Sequence, residues 1–196
     1  GAVGGAVDKE EPDTALNWAL YLADYVRYAN PAPDGLTDQL TDCNVSYKRS
    51  ALREIADLWQ SEFHEPIVHA ALRNRGWSLW FSHAINVHQQ RSVRLNQAIQ
   101  DRYAFGRQFG STRVTSVSPR RRLVHLASAL LLPPLLVGRI AQHVWKKRRY
   151  RRAFFRALPL LALLSAVWAW GEFLGYLTGR PGGSLATTMT RAEARL

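Results

Sequence analysis

A single cysteine, Cys43, in 196 residues excludes a disulfide framework and a cysteine-built zinc site. No uninterrupted apolar run reaches the roughly 20 residues that cross a bilayer as a helix. No secretory leader opens the chain, because the apolar start from Gly1 to Val7 is only seven residues long. Acids are scarce in the second part. Residues 66–196 hold 3 acids against 21 Lys/Arg, a net of +18, whereas residues 1–65 hold 12 acids against 5 Lys/Arg, a net of −7. Disorder is excluded by a hydrophobic content of 47%. The basic part therefore calls for a polyanion, either a nucleic acid or an anionic membrane surface. Its cations flank apolar runs and do not interleave with base-stacking aromatics, so the membrane is the expected partner and nucleic acid is not.

Local patterns order the first part. Gly1 to Val7 reads as a buried strand with close backbone approach at its glycines, and Asp8 to Asp13 as a polar turn. A helix is expected from Thr14 to Ala29, stopped by Asn30-Pro31. Cys43, Val45 and Tyr47 alternate with polar residues as in a half-buried strand, and Ser50 is placed to cap a helix running to about Gln60. Pro66 and Gly76 bracket a further helix, since proline suits a first turn and glycine an exit. Leu79, Phe81, Ile85 and Val87 predict a strand ending near His88, and residues 92–112 a helix carrying Arg94, Arg102 and Arg107.

The chain changes character at Pro119. Leu123 to Gly138 is apolar apart from His125 and the Pro133-Pro134 pair, and Ala157 to Trp170 is a second apolar run. Arg120 to Arg122 precede the first run, and Lys146 to Arg152 hold six cations between the two. A simple crossing would strand one basic cluster on the wrong side of the membrane. The first run is therefore expected to dip in and return, bending at the proline pair, while the second crosses or lies in the interface. A soluble helical hairpin packed on another domain is the alternative.

Four segments, in order, carry a resemblance: Gly4 to Val7 followed by a Tyr- and Trp-rich helix; Cys43 to Arg49; Glu62 to Glu65 with the helix ending at Gly76; and Tyr103 to Gly110 with Arg113 close behind. Together they resemble the second half of a bacterial family 2 glycosyltransferase, and Trp168 to Tyr176 is similar to the membrane tail of some members. The resemblance implies an α/β chain: the C-terminal, acceptor-side part of a GT-A catalytic domain over 1–115, a membrane-associated helical region over 116–180, and a flexible tail over 181–196. It implies inverting transfer of a sugar from a nucleotide-diphosphate donor to a lipid-linked or polysaccharide acceptor, on the cytoplasmic side of a bacterial inner membrane. A non-catalytic membrane-bound adaptor is the alternative function.

The same resemblance assigns residues. Glu65 matches the first carboxylate of the family's acidic pair, and Pro66 stands where the second, usually called the base, would be. Glu62 is the substitute. The chemistry needs a carboxylate that takes a proton from the attacking hydroxyl, and Glu65 at a helix start would equally well complement the helix dipole. Asn44 is a candidate for holding a sugar or phosphate oxygen. Arg102 and Arg107, with Arg113, are candidates for the leaving diphosphate or a lipid-linked phosphate. His88 is a candidate for the diphosphate or its metal. His64 and His69 are five apart, which does not place two ligands on one helix face. The family implies a divalent cation, Mg or Mn, held by an Asp-x-Asp motif that this sequence does not contain. The nucleotide-binding strands are accordingly expected upstream, and the isolated 196 residues are not expected to bind donor tightly.

Overall fold

The computed structural model describes residues 1–60, 63, 65–114 and 117–180. Glu62, His64 and the expected tail at 181–196 lie outside them. Among the described residues the chain is α/β, with seven α-helices and one four-stranded mixed sheet. The residues cluster into two compact units that interleave along the chain. The first comprises 1–13, 24–91 and 143–151, and the second 14–23, 92–142 and 152–196.

The first unit contains the sheet. Strand β1 (Ala2–Lys9) lies between β4 (Leu79–Gln89), parallel to it, and the short antiparallel β3 (Val45–Tyr47); β2 (Gly35–Leu36) pairs with the outer edge of β4. The core places Ala2, Ala6, Leu79 and Phe81 of the sheet against Leu40, Ala51, Ile55, Val68 and Leu72. Helix α3 (Glu65–Asn74) supplies Val68 and Leu72. It ends as expected: Gly76 adopts φ +82°, its N–H donates to the Arg73 carbonyl, and the Trp77 N–H reaches back to the Leu72 carbonyl at 3.0 Å. This is the double-bonded left-handed exit that glycine makes possible.

Several expectations are corrected. Strand β1 continues through Asp8, which is buried and not part of a turn. Helix α2 spans only Arg49–Arg53, with no side-chain cap from Ser50, and a separate 3-10 turn covers Ala56–Leu58. The indole N–H of Trp59 donates to the Leu52 carbonyl at 2.9 Å, an acceptor that a continuing helix would have used. Strand β4 gains three residues between Ser82 and Asn86 relative to β1. Gly5 faces this bulge, and a Cβ there would overlap the Ile85 carbonyl. An odd insertion reverses the alternation of a strand. Asn86 and His88 consequently take over the sheet face that Leu79 and Phe81 hold earlier, in line with Ala6 and Asp8.

The second unit is helical. Thr14 caps α1 (Ala15–Asp24) by accepting from the Asn17 N–H, and the helix stops well before Ala29, with a 3-10 turn over Val26–Tyr28. Helix α4 (Leu95–Val114) packs on α7 (Arg151–Thr178) through two Gly-x-x-x-Gly pairs, Gly106/Gly110 and Gly171/Gly175. A Cβ at any of the four would overlap a backbone carbonyl of the opposite helix. Arg122 donates to the carbonyls of Tyr176 and Leu177 at 2.6 and 2.7 Å, satisfying the end of α7. Helices α5 (Pro119–Ser128) and α6 (Leu132–Lys147) are bent by 69°. The bend lies at a 3-10 turn over Ala129–Leu131, not at the prolines. Pro133 and Pro134 sit in the first turn of α6, where a missing N–H leaves no helix bond unmade. Among the described residues, helix α7 alone is long and apolar enough to cross a membrane, or the bent pair as well if it counts as one span.

Candidate functional site

Two polar clusters stand out in the first unit. The first surrounds α3. Glu65 is half-buried in its first turn, and one turn later His69 is buried, with Nε2 2.8 Å from the Tyr47 hydroxyl of β3 and the two rings stacked. Phe63 stands edge-on to Tyr47, and Trp59 edge-on to Phe63, making a short row of aromatic rings whose Tyr47 end lies within reach of the Glu65 charge. Burial pushes the Tyr47 hydroxyl up, with the charges of Glu65 and then Asp42 adding to it, so the hydroxyl keeps its proton. Burial, then the nearby Arg73 charge, pushes His69 below its ordinary value. His69 Nδ1 has no hydrogen-bond partner. A neutral ring bonded to Tyr47 follows from all three observations.

This arrangement has a pH signature. An unfolded His69 takes up its proton near pH 6.5, before the folded one does. Stability is therefore full above about pH 6.5 and falls as the pH drops towards the lower folded value. The urea midpoint of the protein should decline more steeply from pH 7 to pH 5 in the native chain than in His69→Gln. Equal slopes would rule out a buried neutral histidine.

The second cluster lies where the parallel strands β1 and β4 end. Asp8, only 8% exposed, accepts from the Asn30 N–H (3.2 Å), Asn86 Nδ2 (3.2 Å), the Tyr150 hydroxyl (3.2 Å) and Arg149 Nη1 (3.3 Å). Arg149 also donates to the Asn30 carbonyl at 2.7 Å, and Lys147 Nζ to the carbonyls of Ala29 and Pro31. Part of the basic run expected to meet the membrane is thus folded onto the sheet. Arg148 and Tyr150 hold φ of +54° and +65°, a conformation that non-glycine residues adopt at a cost.

Glu65 joins the first cluster. His88 is exposed beside the second, its Nε2 3.4 Å from Asn86 Nδ2. Asn44 donates to the carbonyls of Ala6 (2.8 Å) and Ile85 (3.1 Å), so its amide nitrogen closes the bulge of β4. The other side of the bulge is held by Asp34, which accepts from the N–H and ring of His83. Arg102 and Arg107 belong to α4 in the second unit. Arg107 donates to the Tyr103 hydroxyl at 2.8 Å and the Arg180 carbonyl at 3.3 Å, and Arg113 lies over the Phe109 ring. Sequence reasoning missed His69 and Tyr47 as a pair, and it missed Asp8. The position of Asp8 at the carboxyl end of a parallel strand, where α/β sheets collect ligands, was the available signal.

The chemistry of the donors bears on the divalent cation. Among the described residues no group of three His, Cys, Asp or Glu side chains converges. Asp8, the most buried of the described carboxylates of the first unit, is already occupied by four donors, one of them a guanidinium. These residues do not fit a hard cation that asks for several free oxygens. No family model, curated protein or solved structure matches the chain.

Proposed function

We propose that this chain forms the acceptor-side and membrane-associated part of an inverting GT-A glycosyltransferase. It would act on a nucleotide-diphosphate sugar and a lipid-linked or nascent polysaccharide acceptor, at the cytoplasmic face of a bacterial inner membrane. The observation that carries this reading is Glu65, half-buried at the start of α3, with its charge acting on Tyr47 at the end of the row Trp59, Phe63 and Tyr47. Ligand sites combine aromatic walls with a few placed polar groups, and a sugar offers an apolar ring face with hydroxyls at its rim. In this reading Glu65 accepts the proton of the attacking hydroxyl. The hydroxyl oxygen bonds to the anomeric carbon as the bond to the diphosphate oxygen breaks, and the nucleotide diphosphate leaves. The adaptor reading is favoured by Pro66, which removes the second carboxylate, and by the bonding of Asn44 to backbone carbonyls.

The deciding assay uses membranes from cells expressing the reading frame that encodes this chain, with nucleotide diphosphate release measured from UDP-, GDP- and dTDP-sugars. Release should fall at least about a hundredfold in Glu65→Gln, the effect of removing a general base. Unchanged release would move the base to Glu62 or elsewhere. No release from any donor, with acceptor supplied, would favour the adaptor.

A further inference from the structure

Helix α7 meets the length and composition of a membrane span, yet its packing argues against crossing. Its residues from Trp168 to Tyr176 lie against α4 from Tyr103 to Ser111 at a separation that only glycine permits. Helix α4 is polar along its length, with Gln97, Gln100, Asp101, Arg102, Arg107, Gln108 and Arg113. A helix of that composition does not enter hydrocarbon. The last third of α7 is held against it at the same depth, and so cannot pass through the hydrocarbon core, though its outward face can reach the acyl boundary. What remains of α7 between Arg152 and Trp168 is 15 residues. That is roughly 22 Å of helix, against a hydrocarbon core of about 30 Å.

The exposed face of α7 is nonetheless apolar from end to end. Phe155, Leu163, Trp170 and Leu177 are all between 41% and 61% exposed, and their spacings of eight, seven and seven residues keep them on one stripe. Both ends of the stripe are basic. Arg152 and Arg156 stand exposed at the start. At the other end Arg122 binds the last carbonyls of α7, the exposed Arg120 and Arg121 precede it in sequence, and the exposed Arg180 follows the end of α7. A transmembrane helix collects its cations on one side, whereas a helix lying along a surface meets headgroups at both ends.

We infer that α7 is an interfacial helix, lying along the plane of an anionic bilayer with its Phe155–Leu177 stripe among the acyl chains and its terminal arginines on lipid phosphates. This rests on the membrane association proposed above and not on the transfer chemistry. Cys43→Ser removes the one native thiol, after which Arg152→Cys and Thr178→Cys each report on one end of α7. Labelling the expressed reading frame with a membrane-impermeant maleimide, in spheroplasts and in inverted vesicles, should modify both positions from the same side. Modification of the two from opposite sides would overturn the inference while leaving membrane association intact. Absence of the protein from the membrane pellet would overturn both, and the diphosphate-release assay would still judge the transferase reading by itself. Flotation of the purified protein with vesicles containing phosphatidylglycerol should exceed that with pure phosphatidylcholine, and Leu163→Glu should weaken it at least about tenfold. Equal flotation on both lipids would refute the anionic partner.

Discussion

Gly171→Val should separate α4 from α7 and cost the protein about 3 kcal/mol or more, the upper range for overpacking. Elsewhere a new side chain is accommodated by turning a neighbour's rotamer. Here the obstructing atoms are backbone: the carbonyl of Tyr103 and the N–H of Arg107. Neither moves without moving its helix. The same holds at Gly106, Gly110 and Gly175, whose obstructions are carbonyls of Trp168, Glu172 and Arg107. Gly138 in α6 is the internal control, because a Cβ there meets nothing within 4 Å. Gly138→Ala should be neutral or stabilising by up to about 1 kcal/mol, from helix propensity. Thermal or urea unfolding of the two variants side by side checks this. A Gly171→Val protein as stable as the native chain would mean that α4 and α7 are not in contact, and the interfacial placement of α7 would lose its basis.

Asp8→Ala is expected to cost about 3 kcal/mol and to free the turn between α6 and α7. Hydrogen bonds to a charged group are worth roughly 1.5–3 kcal/mol each, and removing the acceptor leaves its donors unsatisfied. Arg149 recovers some of this, being 42% exposed and able to reach water, which is why the figure stays well below the sum. The conformations of Arg148 and Tyr150 cost roughly 1–2 kcal/mol each in the left-handed region. With Asp8 gone, the turn loses the bonds that Arg149 and Tyr150 make to the sheet and keeps those of Arg149 and Lys147 to the carbonyls of Ala29, Asn30 and Pro31. Trypsin cuts after arginine, so cleavage at Arg148, Arg149 and Arg151 should accelerate in step with the population of the open turn. Tyr150→Phe, which removes one neutral donor, should have a smaller effect of about 1 kcal/mol. Native-like trypsin resistance in Asp8→Ala would show that the turn is held by something other than Asp8.

What could be read in advance was local. Strand β1, helix α3 with Pro66 and Gly76, and the extent of β4 follow from glycine, proline and alternation within a few residues of each other. The alternation in β4 was nevertheless misleading. Leu79, Phe81, Ile85 and Val87 look like one apolar face, but the three inserted residues hand that face to Asn86 and His88. Residue spacing carries no mark of an insertion that exists only relative to a partner strand. The bonds of Asp8 to Arg149 and Tyr150 join residues 141 and 142 positions apart, and the polybasic run that contains them has an equally good local explanation as lipid contact. Glu65 was singled out by the family resemblance, and the proline and glycine that frame its helix placed it in a first turn. Its neighbours Tyr47 and His69 were not, because their pairing is made by tertiary packing.

The first unit is completed by residues 143–151, so the order in which the chain is made matters to how it is completed. Chains emerge from the ribosome at about 5–20 residues per second, and amino-terminal segments ordinarily fold as they emerge. Asp8 leaves the ribosome 142 residues before Tyr150, the last of its partners in the chain. By those rates the sheet waits roughly seven to thirty seconds for the Arg149 and Tyr150 bonds to its carboxylate, with only Asn30 and Asn86 in place. Helices α4, α5 and α6 are all synthesised within that interval. Release of a nascent chain before Tyr150 should therefore leave the sheet open to proteases, and a single rare-codon pause shortly upstream of that point would lengthen the exposure without changing one residue of the finished protein.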